Sequence, residues 1–313
     1  MAAVEGAARV TRSVQSKIDA EALEKKDRSP VTVADFAAQA LVCRTLSEAF
    51  PDDPVIGEED AADLRSPEQK PFLDGIHAEL QAEGGGTPDE ILAWIDRGRT
   101  AAYSDRFWTL DPVDGTKGFL RREQYAIALG LLEGGQVVLA ALGCPNLDDG
   151  EGGLGVLFWA IRGEGAFARP LGRSSASPRR LAVSTIHDAA ALRMCESVEA
   201  GHSKHDQSAE VVARLGVRAP AVRLDSQTKY GVVARGDADV YLRLPTRRDY
   251  EEKIWDHAAG SLIVQEAGGT VTDVDGRALD FGLGRTLRNN RGVVVTNGSF
   301  HERILATLRD IGV

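Results

Sequence analysis

Leu110-Asp-Pro-Val-Asp-Gly-Thr-Lys-Gly118 is the stretch on which the reading of this chain turns. The short apolar run Phe107-Trp-Thr-Leu110 leads into it as a predicted strand. Asp111 and Asp114 stand three apart around Pro112, and a proline turn there lets both carboxylates and the Val113 carbonyl face the same ions. Gly115 and Thr116 then offer backbone N–H groups at a predicted helix start, where a phosphate is favoured. Alone, the stretch also reads as a type I turn with an aspartate capping a helix.

Three more acidic contexts lie outward from it: Thr32-Val-Ala-Asp35, Ile56-Gly-Glu-Glu-Asp60 and Trp255-Asp-His-Ala-Ala-Gly260. Taken singly, Asp35 is a first-turn helix acid, Glu58-Glu59 a solvated strand end and Asp256 a helix cap. Taken together, they place five carboxylates (Asp35, Glu58, Asp111, Asp114 and Asp256) in segments bounded by apolar residues or glycine. Acids gathered in one pocket cannot all stay ionised unless cations neutralise them. Oxygen ligands without a cysteine or histidine cluster suit hard divalent ions, Mg²⁺ above all. Such a site activates water and clamps phosphoryl oxygens.

The 313 residues carry a formal net charge of -10, which argues against affinity for a nucleic-acid backbone or an anionic membrane. An anionic substrate therefore needs metals or a few placed basic residues. Hydrophobic residues at 43% and charged ones at 27% are ordinary for a globular chain of about two domains. Cys43, Cys144 and Cys195 are far apart and odd in number, so a disulfide framework is not expected and a reducing compartment is. No apolar run is long enough to span a membrane. The N-terminal residues have no secretory character. The expected location is cytoplasmic, or organellar if a transit peptide precedes the mature chain.

Val10, Val14 and Ile18 predict a helix over residues 6–26, ended by Asp27-Arg-Ser-Pro30. A second helix is expected after Thr32, with Phe36, Ala40, Cys43, Leu46 and Phe50 on one face and Asp35 in its first turn. Residues 61–105, polar and broken by Gly84-Gly-Gly86, read as a helical insertion on the surface. Tyr125–Leu132 and Gln136–Leu142 form a hairpin pattern. Leu154–Ile161 continues the strands, and Gly163-Glu-Gly165 starts another hairpin. Composition shifts at Ser174-Ser-Ala-Ser-Pro178, which divides the chain into 1–177 and 178–313. Strands at Ala191–Ser197, Val222–Leu224, Val240–Leu244 and Val293–Val295 then alternate with helices at Ser208–Leu215 and 257–267. The pattern is an α/β layer packed on a more antiparallel first layer.

The four acidic contexts, in this order, resemble the lithium-sensitive, Mg²⁺-dependent phosphatase superfamily of inositol monophosphatase and fructose bisphosphatase. A finer resemblance, to 3′(2′),5′-bisphosphate nucleotidases, rests on several segments. They are Asp114-Gly-Thr-Lys-Gly-Phe-Leu120, Glu196-Ser-Val-Glu199 with Gly201-His-Ser203 and His205-Asp206, Leu224-Asp-Ser-Gln227 with Lys229-Tyr230, Tyr241-Leu-Arg-Leu-Pro245, and Lys253-Ile-Trp-Asp-His-Ala-Ala-Gly260. It covers roughly residues 30–299 but not 61–105. Asp280-Phe-Gly-Leu-Gly-Arg-Thr-Leu287 also resembles the family and reads as structural.

The resemblance implies a layered α-β-α-β-α sandwich, with a mainly antiparallel N-terminal sheet and a smaller mixed C-terminal sheet. It implies metal ligation by Glu58, Asp111, the Val113 carbonyl, Asp114 and Asp256, with Asp35 and the Thr116 hydroxyl activating water. It nominates Gly115, Thr116, His202, Ser226, Lys229, Arg243 and Asp256 for substrate contacts. Lys204 and His205 are further local cations without an assigned role. The implied reaction is hydrolysis of adenosine 3′,5′-bisphosphate to AMP and phosphate, with two or three Mg²⁺ and inhibition by Li⁺. Adenosine 3′-phosphate 5′-phosphosulfate and some inositol bisphosphates are implied further substrates. A monomer without nucleic-acid or membrane partners is expected. Two other readings are an inositol polyphosphate 1-phosphatase and a non-catalytic nucleotide or Mg²⁺ sensor. The segments 224–229 and 241–245 favour a nucleotide over an inositol phosphate, and the intact acidic set favours an enzyme over a sensor.

Overall fold

A computed structural model describes residues 1–18, 29–100, 103–198, 205–247 and 249–313 of the chain. The first part runs through α1 (Ala2–Ser16), α2 (Ser29–Ala49), β1 (Val55–Gly57), α3 (Lys70–Leu80), α4 (Pro88–Asp96), β2 (Arg106–Asp114) and α5 (Thr116–Leu120). The strands β3 (Ala126–Glu133), β4 (Gln136–Asp148), β5 (Leu154–Ile161), β6 (Gly165–Pro170) and β7 (Arg179–Arg180) follow. The second part consists of β8 (Met194–Glu196), α6 (His205–Leu215), β9 (Val222–Arg223), α7 (Thr228–Ala234), β10 (Val240–Arg243), α8 (Ala258–Glu266), β11 (Thr270–Thr272), β12 (Val293–Thr296) and α9 (His301–Asp310).

β1 to β7 form one sheet in chain order, antiparallel except for the parallel β1–β2 pair. The second sheet has the order β11-β12-β10-β8-β9, with β8 parallel to both its neighbours and β12 antiparallel to both of its own. α1 and α2 cover one face of the first sheet, and α8 covers the other. α7 packs on α8 and reaches β10 and β12, so these two helices lie between the sheets. α6 and α9 close the far side of the second sheet. The order of layers is α-β-α-β-α.

The period-2 pattern explains why β3 is apolar throughout. Ile127, Leu129 and Leu131 join the core under α1 and α2, while Ala126 and Ala128 join the core under α8. Large residues face the helix pair, and small ones let α8 approach. β10 divides likewise, with Tyr241 toward the central helices and Val240 and Leu242 toward α6 and α9.

Four expectations about the first two helices are corrected. α1 begins at Ala2 rather than residue 6, and the predicted stretch beyond residue 18 lies outside the described residues up to 28. α2 begins at Ser29, because a proline fits the first turn of a helix and Pro30 therefore opens it rather than breaking it. Asp35 is thus in the second turn, not the first. Phe50 stands one residue past α2, is exposed, and tilts against Trp108 at 5.3 Å between ring centroids. In the 61–105 segment, α3 and α4 pack on α2 and bury Ile76, Leu80, Ile91 and Ile95 completely. Thr87 and Glu90 cap α4 reciprocally. Among the described residues no helix is long and apolar enough to cross a membrane.

Candidate active site

Asp111 and Asp114 share a site because β2 is bulged, not because the chain turns there. In regular strand, residues three apart point to opposite faces. Here Asp111 pairs with Ala128 and Asp114 with Ala126, so β2 has one residue more than β3 across this interval. Pro112 has no N–H to give the ladder, which places the irregularity at that point. The extra residue brings the two carboxylates round to the same cavity, together with Val113. The strand then ends at Gly115, whose φ of 90° is left-handed, and α5 starts at Thr116.

Glu58 follows β1, whose parallel register sets Gly57 beside Leu110, and the Glu58 N–H donates to the Leu110 carbonyl at 3.2 Å. Fully buried Gln39 of α2 holds this segment. Its side-chain amide donates to the carbonyls of Glu59 (2.6 Å) and Ile95 (2.9 Å), and its Oε1 accepts from the Glu59 N–H at 3.1 Å. Gly57 lacks a side chain where one would lie 2.5 Å from that Oε1. Sequence reasoning missed Gln39, because a lone glutamine on an apolar helix carries no signal.

Asp256 ends a 3-10 turn, Ile254–Asp256, ahead of α8. His257 is the N-cap and makes no side-chain cap bond, so the Asp256 carboxylate is not engaged in capping. Gln227, buried at 2% exposure, joins this turn to the bulge: its backbone N–H donates to Asp114 Oδ2 at 2.5 Å, its Nε2 to the Trp255 carbonyl at 2.8 Å, and its Oε1 accepts from the Gly260 N–H at 3.0 Å. Gln227 lay inside a quoted motif, but nothing in the sequence marked it as the connector.

Glu58, Asp111, Val113, Asp114, Gly115, Thr116, Ser226, Lys229, Arg243 and Asp256 all line one cavity of about 340 Å³, within the size range of small-ligand sites. Asp35 is not among the lining residues. It is buried, and burial followed by the charges of Glu59 and Glu58 raises its carboxyl well above the ordinary range. His202 lies outside the described residues.

The acids press on one another. Burial, then Glu58 and Asp114, raise Asp111 well above the usual carboxylate range. The Asp111 Oδ1 is buried without a hydrogen-bond partner. Asp114 is pushed up to about 6 by burial and Asp256, against the pull of Lys229. Glu58 opens to the cleft, yet the protein around its carboxyl and the charges of Asp256 and Glu59 push it up to about 8. An orphaned oxygen inside a ring of mutually repelling carboxylates fits a hard divalent cation, whose oxygen-only donor set this is.

The cationic side is partly engaged. Arg243 reaches Glu252 at 2.7 Å and Asp256 at 3.2 Å. His257 bridges Glu252 (3.1 Å) and the Tyr230 hydroxyl (2.7 Å) in full burial. Among the described residues, Glu252, Asp256 and His257 are the one acid and histidine group whose ligand atoms lie within 4.8 Å of one another. No three of the predicted carboxylates approach that closely. That group is already neutralised from within by Arg243. Lys229, 3% exposed, donates to the Leu224 carbonyl at 3.0 Å, and burial lowers it to about 8 despite Asp114. Ser226 adopts a left-handed φ of 65°, and its hydroxyl shares a hydrogen bond with that of Thr228.

Residues 1–312 match the inositol monophosphatase family. The chain belongs to that family. It is 44% identical to the 3′(2′),5′-bisphosphate nucleotidase of Emericella nidulans over 99% of this chain and 96% of that one. It is 43% identical to the protein of the same name from Schizosaccharomyces pombe, over 93% and 87%. The solved structure of CysQ from Bacteroides thetaiotaomicron, a bacterial inositol monophosphatase family member, superposes with a TM-score of 0.65 at 22% identity, covering 94% of each chain. At that identity the likeness shows the fold alone. Within the family framework, the cavity walled by the β2 bulge, the end of β1 and the Asp256 turn is the candidate active site.

Proposed function

We propose that this chain is a divalent-cation-dependent phosphomonoesterase that hydrolyses the 3′-phosphate of adenosine 3′,5′-bisphosphate to AMP and phosphate. Adenosine 3′-phosphate 5′-phosphosulfate is a second substrate. The observation that carries the reading is the partnerless Asp111 oxygen inside a ring of acids, in a cavity whose other wall holds Lys229 and Arg243. The names of the two relatives support the substrate.

Glu58, Asp111, the Val113 carbonyl, Asp114 and Asp256 would hold two or three Mg²⁺. When bound, Mg²⁺ supplies the positive charge that makes water more acidic at neutral pH and stabilises charge on a phosphoryl group. Li⁺ would inhibit by taking one of these positions with too little charge. The Thr116 hydroxyl orients the attacking water and donates to the Asp35 carboxylate, which takes the proton. Gly115 and Thr116 meet the scissile phosphate. Ser226, Lys229, Arg243 and His202 hold the far phosphate and nucleotide, a guanidinium and an ammonium being natural phosphate partners.

Residues 1–177 form the metal-binding unit, with 61–105 as its helical insertion, and residues 178–313 the nucleotide-binding unit. The chain works as a monomer, binds neither nucleic acid nor membrane, and belongs in a reducing compartment, cytoplasmic or organellar. Phosphate release from nucleotide and inositol bisphosphates, with and without Mg²⁺, tests the reading. Release should be fastest from adenosine 3′,5′-bisphosphate, need Mg²⁺, fall with Li⁺ and vanish in Asp114→Asn while nucleotide binding persists. Faster release from an inositol bisphosphate, or Mg²⁺-independent release, would overturn it.

A further inference from the structure

One arginine touches both halves of the metal cage without entering it. The stretch Arg285–Leu287 runs as a strap along residues 252–254. The Ile254 N–H donates to the Arg285 carbonyl at 3.1 Å, the Leu287 N–H to the Glu252 carbonyl at 2.8 Å, and Lys253 pairs with Thr286 in an antiparallel bridge. The strap delivers the Arg285 side chain over Trp255, with the guanidinium carbon 4.6 Å from the ring centroid. From there Nη2 donates to the Gly57 carbonyl at 2.8 Å and Nη1 to the Thr100 carbonyl at 3.4 Å. Trp255 immediately precedes Asp256, and Gly57 immediately precedes Glu58. A single planar group thus stacks on one acid's neighbour and bonds the backbone of the other's neighbour. Those two acids otherwise hang from different elements, the end of β1 and the turn before α8.

We propose that Arg285 is a positioning residue that sets the separation of Glu58 and Asp256, and so the affinity of the site for divalent cations. The proposal rests on the metal-site reading given above. Geometry favours arginine for this task. The guanidinium can lie flat on an indole while its edge donates in a fixed direction, which a lysine ammonium cannot do. Its charge also faces Glu58 and Asp60. Residues that hold metal ligands in place typically alter metal affinity by about 10–100-fold when replaced.

The test is Mn²⁺ binding to the EDTA-stripped full chain, by electron paramagnetic resonance, for wild type, Arg285→Lys, Arg285→Met and Asp114→Asn, with melting temperatures measured alongside. Arg285→Lys keeps the charge, and Arg285→Met keeps the apolar stem. Both should bind Mn²⁺ about tenfold or more weakly at temperatures well below melting. In turnover assays the Mg²⁺ requirement should rise while the nucleotide KM stays put. Two folded variants with wild-type Mn²⁺ affinity would overturn the proposal, even if their melting temperatures fall, since Arg285 would then be structural only. If wild type binds no Mn²⁺, or Asp114→Asn binds it as tightly as wild type, the metal-site reading itself fails and the proposal falls with it.

Discussion

Replacing Asp114 by Asn should stabilise the cation-free protein while removing its response to Mg²⁺. The Asp114 carboxyl is pushed from 3.8 up to about 6 by burial and by Asp256, so ionising it opposes folding. At ~1.4 kcal/mol per pH unit the difference between 3.8 and 6 corresponds to about 3 kcal/mol, an upper bound because neighbouring acids relax together. The sign follows from proton linkage. The folded state holds this proton more tightly than the unfolded state, so the penalty is absent below about pH 4, grows through pH 6 and is complete above it. An Asn side-chain oxygen can still accept from the Gln227 N–H, so the variant loses the charge and keeps that bond. In EDTA at pH 8, Asp114→Asn should therefore be more stable than wild type by about 1–3 kcal/mol, a melting temperature several degrees higher. At pH 4 the gap should close. Saturating Mg²⁺ should invert the order, since a ligand at ~1,000 times its Kd stabilises wild type by about 4 kcal/mol and has little to bind in the variant. Differential scanning calorimetry across pH, with and without Mg²⁺, reads all of these quantities. A variant less stable than wild type in EDTA at pH 8 would refute the reasoning. Lys229 and Arg243 would then already balance the Asp114 charge, and the cavity would hold no surplus negative charge for a cation.

Three further outcomes are expected. Protons and cations compete for Glu58, held up at about 8, and for Asp114, so Mn²⁺ affinity should climb from pH 6 to pH 8 and level off above; a flat titration by calorimetry would count against these ligands. Lys229→Met should raise KM for adenosine 3′,5′-bisphosphate by about tenfold or more while leaving adenosine 3′-monophosphate unaffected, because a charge-assisted hydrogen bond to the second phosphate is worth about 1.5–3 kcal/mol; equal losses on both substrates in steady-state assays would move Lys229 off that phosphate. Gln227→Leu leaves the Trp255 carbonyl and the Gly260 N–H without partners in the interior, and urea unfolding should show a loss of about 2–5 kcal/mol; a loss under 1 kcal/mol would mean that the connector is dispensable.

Glu58, Asp111, Asp114 and Asp256 were legible in sequence as acids in short contexts with recognisable neighbours, and the structure brings these four to one cavity, whereas Asp35 sits inside α2 and is not in the lining. The full layer order came from the family resemblance; the residues themselves showed the apolar hairpin of β3 and β4 and the later alternation of strands with helices, which is two sheets packed in layers rather than all five layers. Where the reading slipped, one residue type supported two local structures. Pro30 reads equally as a stop or as the first turn of α2, and Pro112 equally as a turn or as a bulge. α7 passed unread because it is buried along its whole length, so no polar face reveals a helical period. α9 has such a face, and the Val293–Val295 strand before it drew the reading instead.

What no pattern in the sequence shows is how the acids are held. Gln39, Gln227 and Arg285 each bond backbone groups of a segment distant in the chain, and the partner is a carbonyl or an N–H that any residue would offer. A pair of complementary side chains leaves a trace at both ends, whereas a side chain on backbone leaves a trace at only one. The two kinds of residue also answer to opposite demands. The acids repel one another, and the protein alone would relax by spreading them apart. The amides and the guanidinium resist that spreading with neutral or cationic side chains placed on the backbone beside Glu58 and Asp256, and they do so without bonding either carboxylate. A site tuned for cations needs both, and the separation of Glu58 from Asp256 is then set by backbone hydrogen bonds rather than by the balance of charges between the two acids.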